Sequence, residues 1–124
     1  MNIDFNRFTE MASQSVQEAQ NEARRRNHQQ VDGWHLLHAM TNQERGIVPA
    51  ILEKMNVQPS AVQLAVDRQL ESLPAVKGSA VAGQMYITHL VQDTFNRAEE
   101  IASQLKDEFV SVEHLFLGLM KAGG

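Results

Sequence analysis

The chain has 124 residues, 43% hydrophobic and 21% charged, an ordinary soluble composition of single-domain size. The lack of cysteine excludes a disulfide framework, an iron–sulfur cluster, a thiolate zinc site and a cysteine nucleophile. A formal net charge of −4 argues against nucleic acid or an anionic membrane as the main partner. The polar start Asn2–Arg7 is no signal peptide and no apolar run is long enough to span a bilayer, so the expected compartment is a reducing cytoplasm.

Apolar residues recur at helical spacing along most of the chain. Phe8, Met11, Ala12, Val16, Ala19 and Ala23 predict a helix with Thr9 at its front, ended by the polar stretch Asn27–Gln30. Asp32 caps a short helix carrying Trp34, Leu36, Leu37 and Met40. Gly46 breaks the chain, Ile47–Met55 forms another short helix with Pro49 in its first turn, and Pro59 opens a fourth over Ser60–Leu73. In that fourth helix Val62, Leu64, Val66 and Leu70 are the expected apolar positions. Pro74–Gln84, with Gly78 and Gly83 among small residues, reads as a linker. Beyond it, Ile87, Leu90, Val91, Phe95, Ala98, Ile101, Ala102 and Leu105 predict the most clearly patterned helix, with Thr88 as its N-cap.

A shift of 79 residues lays Phe8–Met40 on Ile87–Leu119. Thr9/Thr88, Ala19/Ala98, Ala23/Ala102, Val31/Val110, His35/His114 and Leu36/Leu115 are then identical. Asp32 and Ser111, both good N-caps, also coincide, as do apolar pairs such as Met11/Leu90 and Met40/Leu119. The chain therefore reads as one all-α domain over 1–124: repeat one at about 8–73, a linker at 74–86, and repeat two at 87–124. Repeat two lacks counterparts of the third and fourth helices, which leaves an expected under-covered edge at Leu115, Leu119 and Met120.

Little in the sequence points to catalysis. No phosphate-cradling glycine loop occurs, so no ATP binding is expected, and no G-x-S-x-G elbow accompanies any serine. His35 and His38 share a helix face but have no third ligand at metal spacing, so no metal site is expected. His35 and His114 instead suggest one structural job done twice, each ring bonding backbone at a helix–loop junction. Arg24–Arg26 complement the dipole at the first helix's C-terminus.

Phe8-Thr9-Glu10, the Ala19/Ala23 helix, His28-Gln29-Gln30-Val31 and His35-Leu36-Leu37 resemble the Clp N-terminal repeat. Ser111–Leu115 with Leu117-Gly118-Leu119 is similar to its second copy, and Leu70–Pro74 followed by Gly78 is similar to the linker of ClpB-type disaggregases. The resemblance implies an eight-helix, pseudo-twofold domain, or a slightly truncated one, at the front of a ring-forming AAA+ unfoldase. It implies a homohexameric parent that uses ATP and Mg to thread aggregated chains. The domain itself, a monomer or weak dimer, is then expected to need no cofactor and to engage unfolded or aggregated proteins or adaptors. A ClpC-type unfoldase that feeds a protease is the alternative. Its repeats carry a glutamate before each histidine, associated with phosphoarginine-marked clients, whereas here Glu113 matches and Trp34 does not. A helical scaffold or oligomerisation module and a small stand-alone hydrolase are the readings from other classes.

A pseudo-twofold pair of helices leaves a seam where N-termini converge, with free N–H groups suited to polar peptide atoms. The candidate substrate-binding residues are Thr9, Thr88, Phe95, Asp107 and Glu113, with Phe8 and Trp34 beside them. If Asp107 and Glu113 are simple surface residues, alanine at either position shifts stability by no more than about 0.5 kcal/mol.

Overall fold

Thr9 and Thr88 each begin a sixteen-residue helix in the computed structural model, which describes residues 5–76 and 85–123. Most of the expected linker, 77–84, lies outside the described residues. In chain order the elements are a 3-10 turn Phe5–Arg7, α1 Glu10–Arg25, β1 Gln30–Val31, α2 Gly33–Asn42, α3 Ile47–Lys54, α4 Pro59–Ser72, β2 Tyr86–Ile87, α5 His89–Gln104 and α6 Val112–Gly123. The threonine caps act as their side-chain chemistry requires. Thr9 Oγ1 accepts the Ala12 N–H at 3.1 Å and Thr88 Oγ1 accepts the Val91 N–H at 3.3 Å.

Helix ends repeat as faithfully as helix starts. Asn27 and Lys106, 79 residues apart, both take left-handed backbone, at φ 60 and 59. The next residue then donates five positions back, His28 N–H to Ala23 O and Asp107 N–H to Ala102 O, each at 2.8 Å.

The repeats are joined by an exchange. Val31 of repeat one pairs in parallel with Ile87 of repeat two, and Phe8 forms the matching bridge with Val110. Thr88 N–H donates to Val31 O at 3.0 Å and Thr9 N–H to Val110 O at 2.9 Å. Each repeat's approach segment is thus stitched to the other repeat's helix–helix loop. These stitches are the only strand pairing among the described residues.

Between the stitches lies one core built from both copies, with Val16, Leu36 and Met40 from repeat one and Val91, Leu115 and Leu119 from repeat two. Two buried hydroxyls also correspond: Ser15 donates to Ala12 O at 2.7 Å and Thr94 to Leu90 O at 2.8 Å. Two stripe assignments fail outright, while Met11 and Trp34, also placed on stripes, are part-exposed. Leu64 and Leu105, placed on apolar faces by spacing, are 55% and 61% exposed. Conversely, Leu115 and Leu119 are buried, and of the expected open edge Met120 alone is exposed.

Candidate functional site

The two histidines common to both repeats do the same local work. His35 Nδ1 accepts the Asp32 N–H at 2.8 Å, and His114 Nδ1 accepts the Ser111 N–H at 2.9 Å. Each ring therefore reaches back to the N-cap backbone of its own helix, as the glutamate of a capping box does. With Nδ1 an acceptor, the neutral ring carries its proton on Nε2. That proton goes to different partners in the two copies. His35 Nε2 meets His28 Nδ1 at 2.8 Å, and His114 Nε2 meets Asp107 Oδ2 at 2.9 Å. His28 and Asp107 are themselves equivalent under the 79-residue shift.

Ser111, His114 and Asp107 consequently stand in series, with Ser111 Oγ 3.0 Å from His114 Nδ1. The series is a helix cap and not a nucleophile relay. The Nδ1 lone pair is already engaged by the Ser111 N–H, and the hydroxyl donates to Glu113 Oε1 at 2.7 Å. His35 and His38 do not converge either. His38 Nε2 lies 3.8 Å from Glu22 Oε2 and 3.7 Å from Asp67 Oδ1, while both nitrogens of His35 are engaged elsewhere.

The expected binding residues divide between the two stitches. Phe8, Thr9, Phe95, Asp107 and Glu113 belong to the one where α1 and α6 begin; Thr88 and Trp34 belong to the one where α5 and α2 begin. Thr9 and Thr88 are caps, and Thr88 also donates to Asp32 Oδ1 at 3.0 Å, fastening repeat two to the head of α2. Phe95 is only 8% exposed and packs in a T-shaped contact with Phe8, with ring centroids 5.8 Å apart. Glu113 is half-buried, whereas Asp107 is exposed.

Sequence reading missed Glu22, a carboxylate only 4% exposed among the alanines of α1. Arg25 and Arg26 both bond it, and Arg26 continues to Asp67 of α4 at 3.3 Å. The arginine run therefore pairs with carboxylates besides lying at a helix end. Burial pushes the Glu22 carboxyl up, but the Arg26 hydrogen bond and the charges of His38, Arg25 and Arg26 outweigh it, so the net shift is below the usual value. The sequence held one signal: the shift places Glu22 opposite Ile101, a core position of repeat two.

Also missed was a groove of about 280 Å³ where α2, α5 and α6 meet. Its walls are Trp34, Leu37, Leu90, Leu119 and Met120, with Gly33 and Gly123 at the ends. Trp34 is 37% exposed there, and a side chain at Gly33 would run into Leu90 and Leu119. The surface is apolar and concave, and it carries no catalytic constellation.

Two helical repeats with exchanged approach segments and histidine-capped second helices define the class: a pseudo-twofold domain of the Clp type. The family described as the Clp repeat (R) N-terminal domain matches residues 7–124, and the chain belongs to it. Chaperone protein ClpB of Nitratidesulfovibrio vulgaris is 42% identical over 120 residues, 96% of this chain but 14% of that relative. Chaperone protein ClpB of Clostridium tetani is 36% identical over 120 residues, again 96% of this chain and 14% of the relative. The chain thus spans 14% of the length of these curated relatives. Among solved structures, the Hsp104 N-terminal domain of Candida albicans superposes with a TM-score of 0.84 over 94% of this chain and 75% of that one, at 19% identity. The N-domain of ClpV from Vibrio cholerae does so at 0.81 over 99% and 74%, with 13% identity. At these identities the superpositions speak for the fold alone. No described helix is long and apolar enough to cross a membrane.

Proposed function

We propose that this chain is the client- or adaptor-binding front end of a ClpB-type disaggregase, engaging unfolded or aggregated polypeptide in the cytoplasm and performing no chemistry itself. In this reading ATP and Mg serve other modules of a hexameric parent. The observation that carries it is Trp34, part-exposed over the apolar groove of α2, α5 and α6. Tryptophan on a concave apolar wall is the common anchor of protein recognition. Unfolded chains offer the complementary feature, apolar side chains flanked by unpaired backbone. Trp34 also disfavours the ClpC-type reading, since repeat one lacks the glutamate that repeat two has in Glu113.

Affinity should be modest, because a groove this small removes little surface and the client must be ordered on binding. The test is fluorescence anisotropy of a labelled, permanently unfolded model protein titrated with the domain. We expect a dissociation constant above about 10 μM, that is, binding weaker than about −7 kcal/mol. Trp34→Glu, which installs the repeat-two residue, should weaken binding at least fivefold while leaving urea stability within about 1 kcal/mol. Binding that survives both Trp34→Glu and Glu113→Ala undiminished would sink the assignment.

A further inference from the structure

Repeat one holds a pair of buried imidazoles where repeat two holds an imidazole and a carboxylate. The two contacts of His35 allow one proton arrangement only. Its Nδ1 accepts from Asp32 N–H, so Nε2 carries the proton and donates to His28 Nδ1, and His28 keeps its own proton on Nε2. Both rings are neutral, and any further proton must land on a nitrogen already accepting a bond. On His28 Nδ1 it would set two N–H groups against each other across 2.8 Å; on His35 Nδ1 it would oppose the Asp32 N–H.

Repeat two has no such conflict at the equivalent contact. A carboxyl group still offers Oδ2 as an acceptor when its other oxygen is protonated, so the His114–Asp107 bond keeps its direction in acid. A second proton on His114 Nδ1 would oppose the Ser111 N–H, as at His35, but it would leave the Nε2–H bond to Asp107 intact, so the contact between helix and loop survives in repeat two alone.

The loop that bears His28 holds both ends of the connection between the repeats. Asn27 O accepts Val76 N–H at 2.7 Å, Gln29 O accepts Tyr86 N–H at 3.3 Å, and Val31 O accepts Thr88 N–H at 3.0 Å. Asp32, whose N–H is bonded by His35, takes the Thr88 hydroxyl. Beside the imidazole pair lies a cavity of about 420 Å³, walled by His28, Asp32, His35, Val76, Tyr86 and Thr88 among others.

We infer that the His28–His35 pair is an acid-sensitive latch on the 27–32 loop. Its protonation releases Val76 and Tyr86–Thr88 from that loop, while the equivalent stitch of Phe8–Thr9 to Val110 stays closed. The charged groups around the pair are Glu22 of α1, Arg26 at its C-cap and Asp32 at the head of α2. Behind Glu22 stand Arg25, His38 of α2 and Asp67 of α4, and Tyr86 faces the cavity from β2. Arg26 opposes a positive His28 and Glu22 favours it; burial is the largest influence and holds the ring below its ordinary value. Burial and the neighbouring His28 ring lower His35 to about 4, against the weaker pull of Asp32 and Glu22. The latch is therefore closed at pH 7 and opens as the pH falls below about 6.5 towards 4.

Amide hydrogen exchange, followed residue by residue by NMR between pH 7 and 4 and corrected for intrinsic rates, tests this. Protection at Val76, Tyr86 and Thr88 should fall at least tenfold, with Thr9 and Val110 holding within threefold. Ring-nitrogen shifts recorded in the same samples should show His28 or His35 titrating with the midpoint of the amide loss. In His28→Asn, which keeps an acceptor for His35 Nε2 and cannot titrate, the loss between pH 7 and 5 should vanish. Parallel loss at both stitches, no loss at either, or amides that open while both rings stay neutral would each overturn the latch. Should His28→Asn fold poorly, the wild-type comparison of ring and amide midpoints decides alone.

Discussion

Asp107 shows how exposure misleads when a residue's partner is buried. Its carboxylate is open to solvent, yet Oδ2 is the acceptor for the Nε2–H of a His114 that is almost wholly enclosed. Asp107→Ala strips that acceptor and should cost about 1–3 kcal/mol in urea denaturation, the range for an orphaned buried donor. This replaces the near-neutral change that sequence position suggests. Asp107→Asn retains a carbonyl oxygen and should recover most of the loss; an alanine variant as stable as wild type would remove Asp107 from the His114 cap. The threonines differ in the same way. Thr9→Ala removes a cap and should cost about 1 kcal/mol, whereas Thr88→Ala also removes the donor to Asp32 and should cost more. Thr88→Ser should approach wild type in both respects. Equal losses at Thr9 and Thr88 in parallel melts would mean that the Asp32 link contributes nothing. What was legible here was chemistry local to one helix: threonine at a helix start, histidine three residues past an N-cap. Bonds such as Thr88–Asp32 and His28–His35 span a fold, and spacing alone does not reveal them.

At the scale of the element, helix ends and one close crossing carry the consequences. Lys106 holds left-handed backbone at φ 59 to end α5, a conformation glycine adopts without the Cβ clash. Its side chain is exposed, so Lys106→Gly should raise stability by about 0.5–1 kcal/mol, the relief exceeding the entropy gained by the unfolded chain. Denaturation at matched ionic strength is the measurement, and a destabilised glycine variant would contradict it. Gly118 is the opposite case. A Cβ there would lie 2.8 Å from Thr94 O and 3.1 Å from Ala98 N, both backbone atoms of α5 that cannot turn aside. Gly118→Ala should therefore push α6 off α5 and cost about 1–3 kcal/mol. Helices α1, α2, α4 and α5 were legible from their apolar spacing, α3 from Gly46 and Pro49, and α6 only through the repeat. Stripe membership was less so: Leu64 and Leu105 satisfy the period but face solvent, and Glu22 occupies a buried position on the strength of two arginines.

For the whole molecule, the internal shift explains both what joins the repeats and what distinguishes them. The repetition was legible because caps, core positions and loop length agree together. The exchange of approach segments was not, since a two-residue parallel pairing leaves no periodic trace. The same shift accounts for an exposed face. In repeat one, α4 docks through Asp67 on Arg26 and His38, and through Gln63 on the Thr41 carbonyl. The corresponding residues of repeat two are Leu105, Leu117 and Met120, and all three are exposed. Repeat two thus offers leucine and methionine where repeat one offers polar partners to a packed helix. Three large apolar side chains on adjoining helices favour contact between copies once the domain is concentrated. The 124-residue chain should accordingly show weak, concentration-dependent association by analytical ultracentrifugation. The double change Leu105→Arg with Leu117→His installs the repeat-one residues. It should abolish that association while shifting stability by no more than about 0.5 kcal/mol, because neither leucine is part of the buried core. If association persists unchanged in the double variant, another surface makes the contact, with the Trp34 groove the next to be tested by Trp34→Glu. If stability falls by several kcal/mol, Leu105 and Leu117 support the fold in a way that their exposure conceals.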